Sequence, residues 1–404
     1  MDGNILGALD PRELGRRLQG ARKARGQTQQ EAAVHLGVAR TTITAIEKGE
    51  RRIRPQELVR LALFYGRSVG EFLRQGTPAT PFTVQLRAVL APGMEVEKDI
   101  SSGLAEFERL CVDYLELERI CEAPLGEKYP ESYRTEGVTP EAAGEDVASA
   151  ERNRLGLGDG PLLNLREVLE NDVGLRIFYI ALPSRIAEMF AYTEDLGGCL
   201  AINRKHPAER GRMSLAHGYA HFLTNRYRPE VAFLGRYQRV PEQERFADAF
   251  ARSFLMPESG MRRRFNELKR RRQGKFTPSD LCTLAHFYFV SVEALTLRLE
   301  ELRLLPGGTW DRLQEAGFKV QEAKGLLHLR PYSANNQELP LRYMYLAAEA
   351  FERAELTEGQ LARFLRTDRL EARRIVVELA SGRVVSDEGA VSTVPIDLGG
   401  SLSA

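Results

Sequence analysis

The chain is short of cysteine, of long apolar runs and of net charge, and each shortage excludes a class of protein. Its four cysteines, Cys111, Cys121, Cys199 and Cys282, are scattered over 404 residues without a CxxC pair. That usage fits a reducing, cytoplasmic compartment and argues against a disulfide scaffold or a zinc ribbon. No stretch reaches about 18 uninterrupted apolar residues, and the N-terminal MDGNILGALDPREL lacks a basic region followed by an apolar run. Neither secretion nor a membrane partner is expected. The 57 Lys and Arg nearly balance 56 Asp and Glu, leaving a net charge of +1. Any binding to nucleic acid must then come from local segregation of charge. At roughly 150 residues per domain, the length allows two or three domains.

Charge does segregate at the N-terminus. From Arg12 to Arg60, twelve Lys or Arg stand against five Asp or Glu, a net of +7. Helix punctuation in the same stretch is dense. Asp10, Pro11 and Glu13 open a first helix that should run to about Arg25. Thr28 and Glu31 form a capping box ahead of a short helix, Gln29 to His35, and Gly37 supplies the left-handed residue of a tight turn. A third helix follows from about Ala39 to Lys48, Pro55 opens a fourth that ends near Gly66, and Ser68 with Glu71 caps a fifth. Short helices with a glycine turn between the second and third predict a helix-turn-helix. In the third, Val38, Ile43 and Ile46 have the spacing of a buried stripe. Arg40, Thr41, Thr42 and Ala45 point elsewhere, where they can enter the major groove of double-stranded DNA.

The run QTQQEAAVHLGVARTTITAIEKGERR closely resembles the XRE-type (lambda repressor and Cro-like) family, over residues 12 to 75. The resemblance implies a five-helix DNA-binding domain within residues 1–76, working as a homodimer. It implies phosphate contacts from Thr28 and Gln29 at the start of the second helix, and base-edge contacts from Arg40, Thr41, Thr42 and Ala45. Arg51, Arg52 and Arg54 would add phosphate contacts.

Residues 77–146 read as a connector, amphipathic from Ala105 to Glu122 through Phe107, Leu110, Cys111, Tyr114, Leu115 and Leu117. Residues 123–146 mix Pro, Gly and acids and read as a mostly loop-like boundary, with a new domain beginning near Val147. From there a helix at Pro161 to Asn171 precedes two strand-like segments, GLRIFYIALP and GCLAINRK. Next comes ERGRMSLAHGYAHFLTN, in which His217 and His221 lie four apart, one helical turn above the other. Two neutral imidazoles so placed can grip one zinc ion. Glu244, in the amphipathic ERFADAFARSFLMP, could bring a third ligand and leave the fourth position to water.

A His-x-x-x-His pair occurs by chance in helices, and its context gives it weight. INRK, ERGRMSLAHGYAHFL and ERFADAFARSFLMP together resemble the ImmA/IrrE metallopeptidase domain, over about residues 147–300. The resemblance implies a zincin-like fold with a small sheet, Zn2+ held by His217, His221 and Glu244, and Asp248 as an outer partner for a histidine N–H. One departure stands out. Where the family has the glutamate of HExxH, this chain has Gly218. That glutamate takes a proton from the metal-bound water, work commonly contributing on the order of a hundred- to ten-thousand-fold in rate, and glycine cannot do it. Tyr219 points to another helical face. The ligands without the base suggest a site that senses or binds; loss of the metal as well remains the alternative.

Farther on, eight cations fall between Arg262 and Phe276, read as a solvated surface helix or a second nucleic-acid contact. TPSDLCTLAHFYFVSVEALTLRLEEL has a helix-loop-helix pattern in which His286 packs rather than ligates. Residues 301–382 form a helical C-terminal region, and 383–404 a weakly ordered tail. The fold expected is mainly α, with a small α+β domain at the centre. The function expected is a transcriptional regulator that binds an operator, its peptidase-like domain answering to a protein or small-molecule effector. The alternatives are an active zinc peptidase cleaving a partner repressor and an antitoxin or phage-defence regulator binding a protein partner through the cleft.

Overall fold

A computed structural model describes residues 10–25, 27–65, 69, 72, 98–233, 241–330, 338–380, 383–385 and 391–393. The chain divides into two compact units, Met1–Thr80 and Pro81–Ala404.

In the first unit, helices α1 (Pro11–Ala24), α2 (Gln29–Leu36), α3 (Arg40–Glu47) and α4 (Pro55–Tyr65) follow the punctuation of the sequence. Asp10 accepts from the Arg12 amide, the Thr28–Glu31 capping box is formed, and Gly37 has a φ of 73°. The fifth helix and its Ser68–Glu71 cap lie outside the described residues, apart from Val69 and Phe72. Leu14, Leu18, Ala33, Ile43, Ile46, Leu58 and Leu61 bury a common core. Helices α1 and α3 approach closely, since a Cβ on Gly15 would stand 2.5 Å from the Ile46 carbonyl oxygen. Beneath that contact, Arg22 Nε and Nη2 donate to the buried Glu47 at 2.6 and 3.0 Å. Such an ion pair is costly to break, because either half left alone is an uncompensated buried charge.

The second unit opens with α5 (Lys98–Ile120), α6 (Pro140–Arg154) and α7 (Leu165–Val168), which runs into a π turn over Leu169–Val173. A sheet follows, built from β1 (Arg176–Ile180), β2 (Ile186–Thr193), β3 (Gly197–Asn203) and, after helix α8 (Ala208–Asn225), β4 (Glu230–Phe233). Its order is β1-β3-β2-β4, with β1 parallel to β3 and β2 antiparallel to both β3 and β4. Then come α9 (Glu242–Leu255), α10 (Glu258–Arg271), α11 (Pro278–Tyr288), α12 (Val292–Glu301), α13 (Thr309–Glu315), α14 (Val320–Leu326), α15 (Leu341–Glu352), α16 (Glu358–Phe364) and α17 (Arg369–Ala380). This unit is thus mainly α, with one four-stranded sheet. Among the described residues no single helix is long and apolar enough to cross a membrane; α11 and α12 together would be, but they bend by 101° and supply core residues Leu281, Leu284, Val292, Leu295 and Leu299.

Two expectations need correction. The stretch expected as loop up to residue 146 ends instead in helix α6: Thr139 caps it, accepting from the Ala142 amide, and Pro140 takes its first position. The Gly144 that reads as a breaker is there for packing, because a Cβ would stand 2.7 Å from the Phe250 amide nitrogen on α9. Strand β2 is the second, and it carries a residue of the site. Within the stretch expected as a weakly ordered tail, Arg383–Val385 and Val391–Thr393 pair as antiparallel strands β5 and β6; the rest of that stretch lies outside the described residues. The helical C-terminal region packs inside this unit at α16 and α17: Leu361 and Phe364 are buried, Arg366 turns the chain with a φ of 59°, and Tyr343 of α15 donates to the Phe364 carbonyl.

Candidate functional site

Helix α8 is buried on nearly every side. Leu215, Ala216, Tyr219, Ala220, Phe222 and Leu223 join the core, and that packing fixes the orientation of the two histidines set among them. The rings of His217 and His221 meet edge to face with centroids 4.8 Å apart. Across from them, α9 presents Glu244. The ligand atoms of His217, His221 and Glu244 all lie within 4.8 Å of one another. His217 Nε2 stands 3.5 Å from Glu244 Oε2, and His221 Nε2 stands 3.6 Å from Glu244 Oε1. Donors each about 2.1 Å from a tetrahedral zinc are themselves roughly 3.4 Å apart, so these separations suit a ligand set.

The outer partner of His217 is Glu188, on β2, rather than Asp248 as expected. His217 Nδ1 lies 2.7 Å from Glu188 Oε1. A carboxylate only accepts, so an N–H sits on Nδ1, and Nε2 is left on the side that faces Glu244. Asp248 stands instead on the Nε2 side, its Oδ1 3.5 Å away. Burial disfavours charge on His217, yet the carboxylates of Glu188, Glu244 and Asp248 outweigh it and raise the pKa well above the ordinary imidazole value. His221 goes the other way: burial first, then the charge on His217, push it down to about 3. Burial raises Glu188, against the pull of His217. The pocket therefore favours one positive charge at its centre, as a proton or as a metal ion.

Gly218 faces the sheet. A Cβ there would lie 2.5 Å from Leu200 Cδ2 and 3.3 Å from Glu188 Oε1. The space in which a glutamate would begin is thus occupied by a core leucine and by the carboxylate that orients His217. Glu188 has no motif to betray it, standing 29 residues before its partner on a strand the sequence does not announce.

In the first unit Arg40 and Thr41 on α3 are exposed, with Thr42 and Ala45 partly so. Gln29 is committed inside the unit, its Nε2 donating to Glu47 Oε2 at 2.8 Å while its Oε1 accepts from Thr44 Oγ1 at 3.2 Å. It pins α2 against α3. Thr28 Oγ1 bonds within its own capping box. Arg51 forks onto Glu57 at 2.8 and 3.1 Å, whereas the Arg52 and Arg54 side chains are exposed. In and just after α10, five of the eight cations are paired: Arg262 with Glu258, Arg263 with Asp159, Arg264 and Arg271 both with Glu267, and Arg272 with Asp280, so four carboxylates offset about half of the cluster's charge. That weakens its case as a nucleic-acid contact.

Residues 13–74 match the helix-turn-helix domain family, and residues 170–300 match the IrrE N-terminal-like domain of the M78 peptidases. The fusion expected from the sequence is therefore present. No curated protein matches the chain. Among solved structures, ComR from Streptococcus suis is similar at 12% identity over 92% of this chain and 90% of that one, with a TM-score of 0.16. PlcR from Bacillus thuringiensis, in complex with the peptide PapR7 and DNA, is similar at 11% identity over 91% and 95%, with a TM-score of 0.16.

Proposed function

We propose that this chain is a DNA-binding transcriptional regulator in which the IrrE-like unit holds zinc and serves as a sensing or control element, not as a protease. The observation that carries the reading is the coexistence of a converging ligand set with Gly218 at the position of the base. His217, His221 and Glu244 hold the ion, with Glu188 behind His217 to orient it. Zinc bound there would supply Lewis acidity, and among residues 217–221 Gly218 offers no side chain to act as a base. Leu200 and Glu188, packed where a residue-218 side chain would start, support a cleft settled in that state. An effector, protein or small molecule, would act on this unit.

On the DNA side, Arg40, Thr41, Thr42 and Ala45 read base edges in the major groove, and Arg52 and Arg54 with Thr28 and the α2 N-terminus meet phosphates. Arg51 and Gln29 contribute by holding the unit's shape, with phosphate contact open to Arg51 only if it leaves Glu57. The chain binds as a homodimer, each copy on one half-site. Selection from a random duplex pool by the full chain tests this. It should enrich a two-fold symmetric sequence, with half-sites about one helical turn apart, and the enrichment should vanish for Arg40→Ala. If no duplex is enriched, or Arg40→Ala selects the same sequence equally well, the reading fails.

A further inference from the structure

Asp248 is the residue that the proposed metal centre leaves over. One turn beyond Glu244 on α9, it shares that residue's face of the helix. Its Oδ1 lies 3.5 Å from His217 Nε2, the same separation at which Glu244 stands. An outer-shell role at His217 would require contact with Nδ1, the ring atom turned away from the ligands, and Glu188 already holds that atom at 2.7 Å. The Asp248 carboxylate confronts the ligand side of the ring instead. It falls outside the group whose ligand atoms lie within 4.8 Å of one another, but its side chain is 51% exposed, so packing does not lock it in one rotamer.

We infer that Asp248 supplies the fourth ligand, so that the metal centre is closed by His217, His221, Glu244 and Asp248. This rests on the metal-site reading above and sharpens it. Catalytic zinc centres keep the fourth position open for water, whereas closed centres of four protein ligands are structural. Gly218 removes the base, and Asp248 displaces the water on which a base would act.

The test uses the full-length protein with Co2+ in place of zinc, because zinc has no visible spectrum, and azide as the probe of an open position. The wild-type chain should bind one Co2+ with a spectrum that azide does not change. Asp248→Ala should bind it more weakly, by more than the roughly 10- to 100-fold that losing an outer-shell partner costs, and its spectrum should shift with azide. Equal affinity and an equal azide response in the two proteins would overturn the inference. Circular dichroism should be unchanged, since Asp248 is half exposed, and Asp248→Asn should fall between the two. His217→Ala separates the two levels of argument. If wild type and His217→Ala alike hold no Co2+, the metal reading falls and the fourth ligand with it. If only the wild type loads, failure of the Asp248 comparison counts against the fourth ligand alone.

Discussion

Helices α3 and α8 carry the two candidate sites of this chain, and they present them in opposite ways. The first buries one stripe, Ile43, Ile46 and Glu47, and displays Arg40 and Thr41 to solvent. In α8 every residue from Ser214 to Leu223 is buried, His217 and His221 among them. An exposed recognition face can be rewritten without unfolding the unit that bears it. A buried site cannot, because each of its side chains also belongs to a core, and a lost function there leaves marks in the packing. On the reading proposed above Gly218 is such a mark, with Leu200 and Glu188 packed where a side chain at that position would start.

The contrast breaks most severely at the one buried charge cluster under α3. Replacing Glu47 by Ala leaves Arg22 charged and buried without its partner and should destabilise the first unit by about 3 to 5 kcal/mol. Trp310, the chain's one tryptophan, packs against the core of the second unit, so helicity should fall in circular dichroism while tryptophan emission holds. Loss of both signals together would show the units to be energetically coupled. Acid should act at the same place. Burial alone would raise the Glu47 carboxyl, but hydrogen bonds from Arg22, Gln29 and Gln19, with the charge of Arg22, hold it below its usual range. A depressed carboxylate contributes stability above its unfolded-state value that is lost as pH falls through the folded one, so the first unit should weaken below the ordinary carboxylate range, and less so in Glu47→Gln.

In α8 the sharper probe lies behind the ligands. Glu188→Gln keeps the shape but not the charge that orients His217, and zinc affinity, measured by chelator competition, should fall roughly 10- to 100-fold. An unchanged affinity would leave Glu188 a packing residue. On α3, Arg40→Ala should cost roughly 1 to 3 kcal/mol of discrimination between selected and random DNA, whereas Arg52→Ala should weaken both alike and lower the salt slope by about one. Equal losses on both DNAs for Arg40→Ala would make it a phosphate contact.

The smallest effect is the most diagnostic of a settled cleft. Gly218→Ala gains about 1 kcal/mol of helix propensity but forces a Cβ to 2.5 Å from Leu200 Cδ2, an overpacking that costs about 1 to 3 kcal/mol. The net should be a slight destabilisation in denaturant titration, relieved when Leu200→Val is added. Net stabilisation by Gly218→Ala alone would mean that the room for a side chain is still there.

How much of this was legible in sequence differs between the units for a physical reason. Caps and turns are local, so Thr28 with Glu31, Gly37 and Pro55 announce α2, the turn and α4 before any contact is known. The histidine pair is legible because helical spacing is local too. Strand β2 is not: IAEMFAYT is buried along almost its whole length, which erases the alternation that marks a half-buried strand, and Ala, Glu and Met are weak strand formers. Missing β2 meant missing Glu188, and Asp248 stood in as the outer partner. The role of Gln29 was obscured similarly, since its bonds to Thr44 and Glu47 depend on how two helices cross.

The central claim is a cleft that holds metal without cutting, and one sample tests it most directly: the zinc-loaded, full-length chain, assayed for bound zinc and for hydrolysis of an unfolded protein substrate such as reduced casein. About one zinc per chain is expected, absent in His217→Ala, with no hydrolysis above the metal-free control. Hydrolysis by the unaltered chain, abolished both by chelator and by His217→Ala, would contradict it and make the cleft a working peptidase despite Gly218.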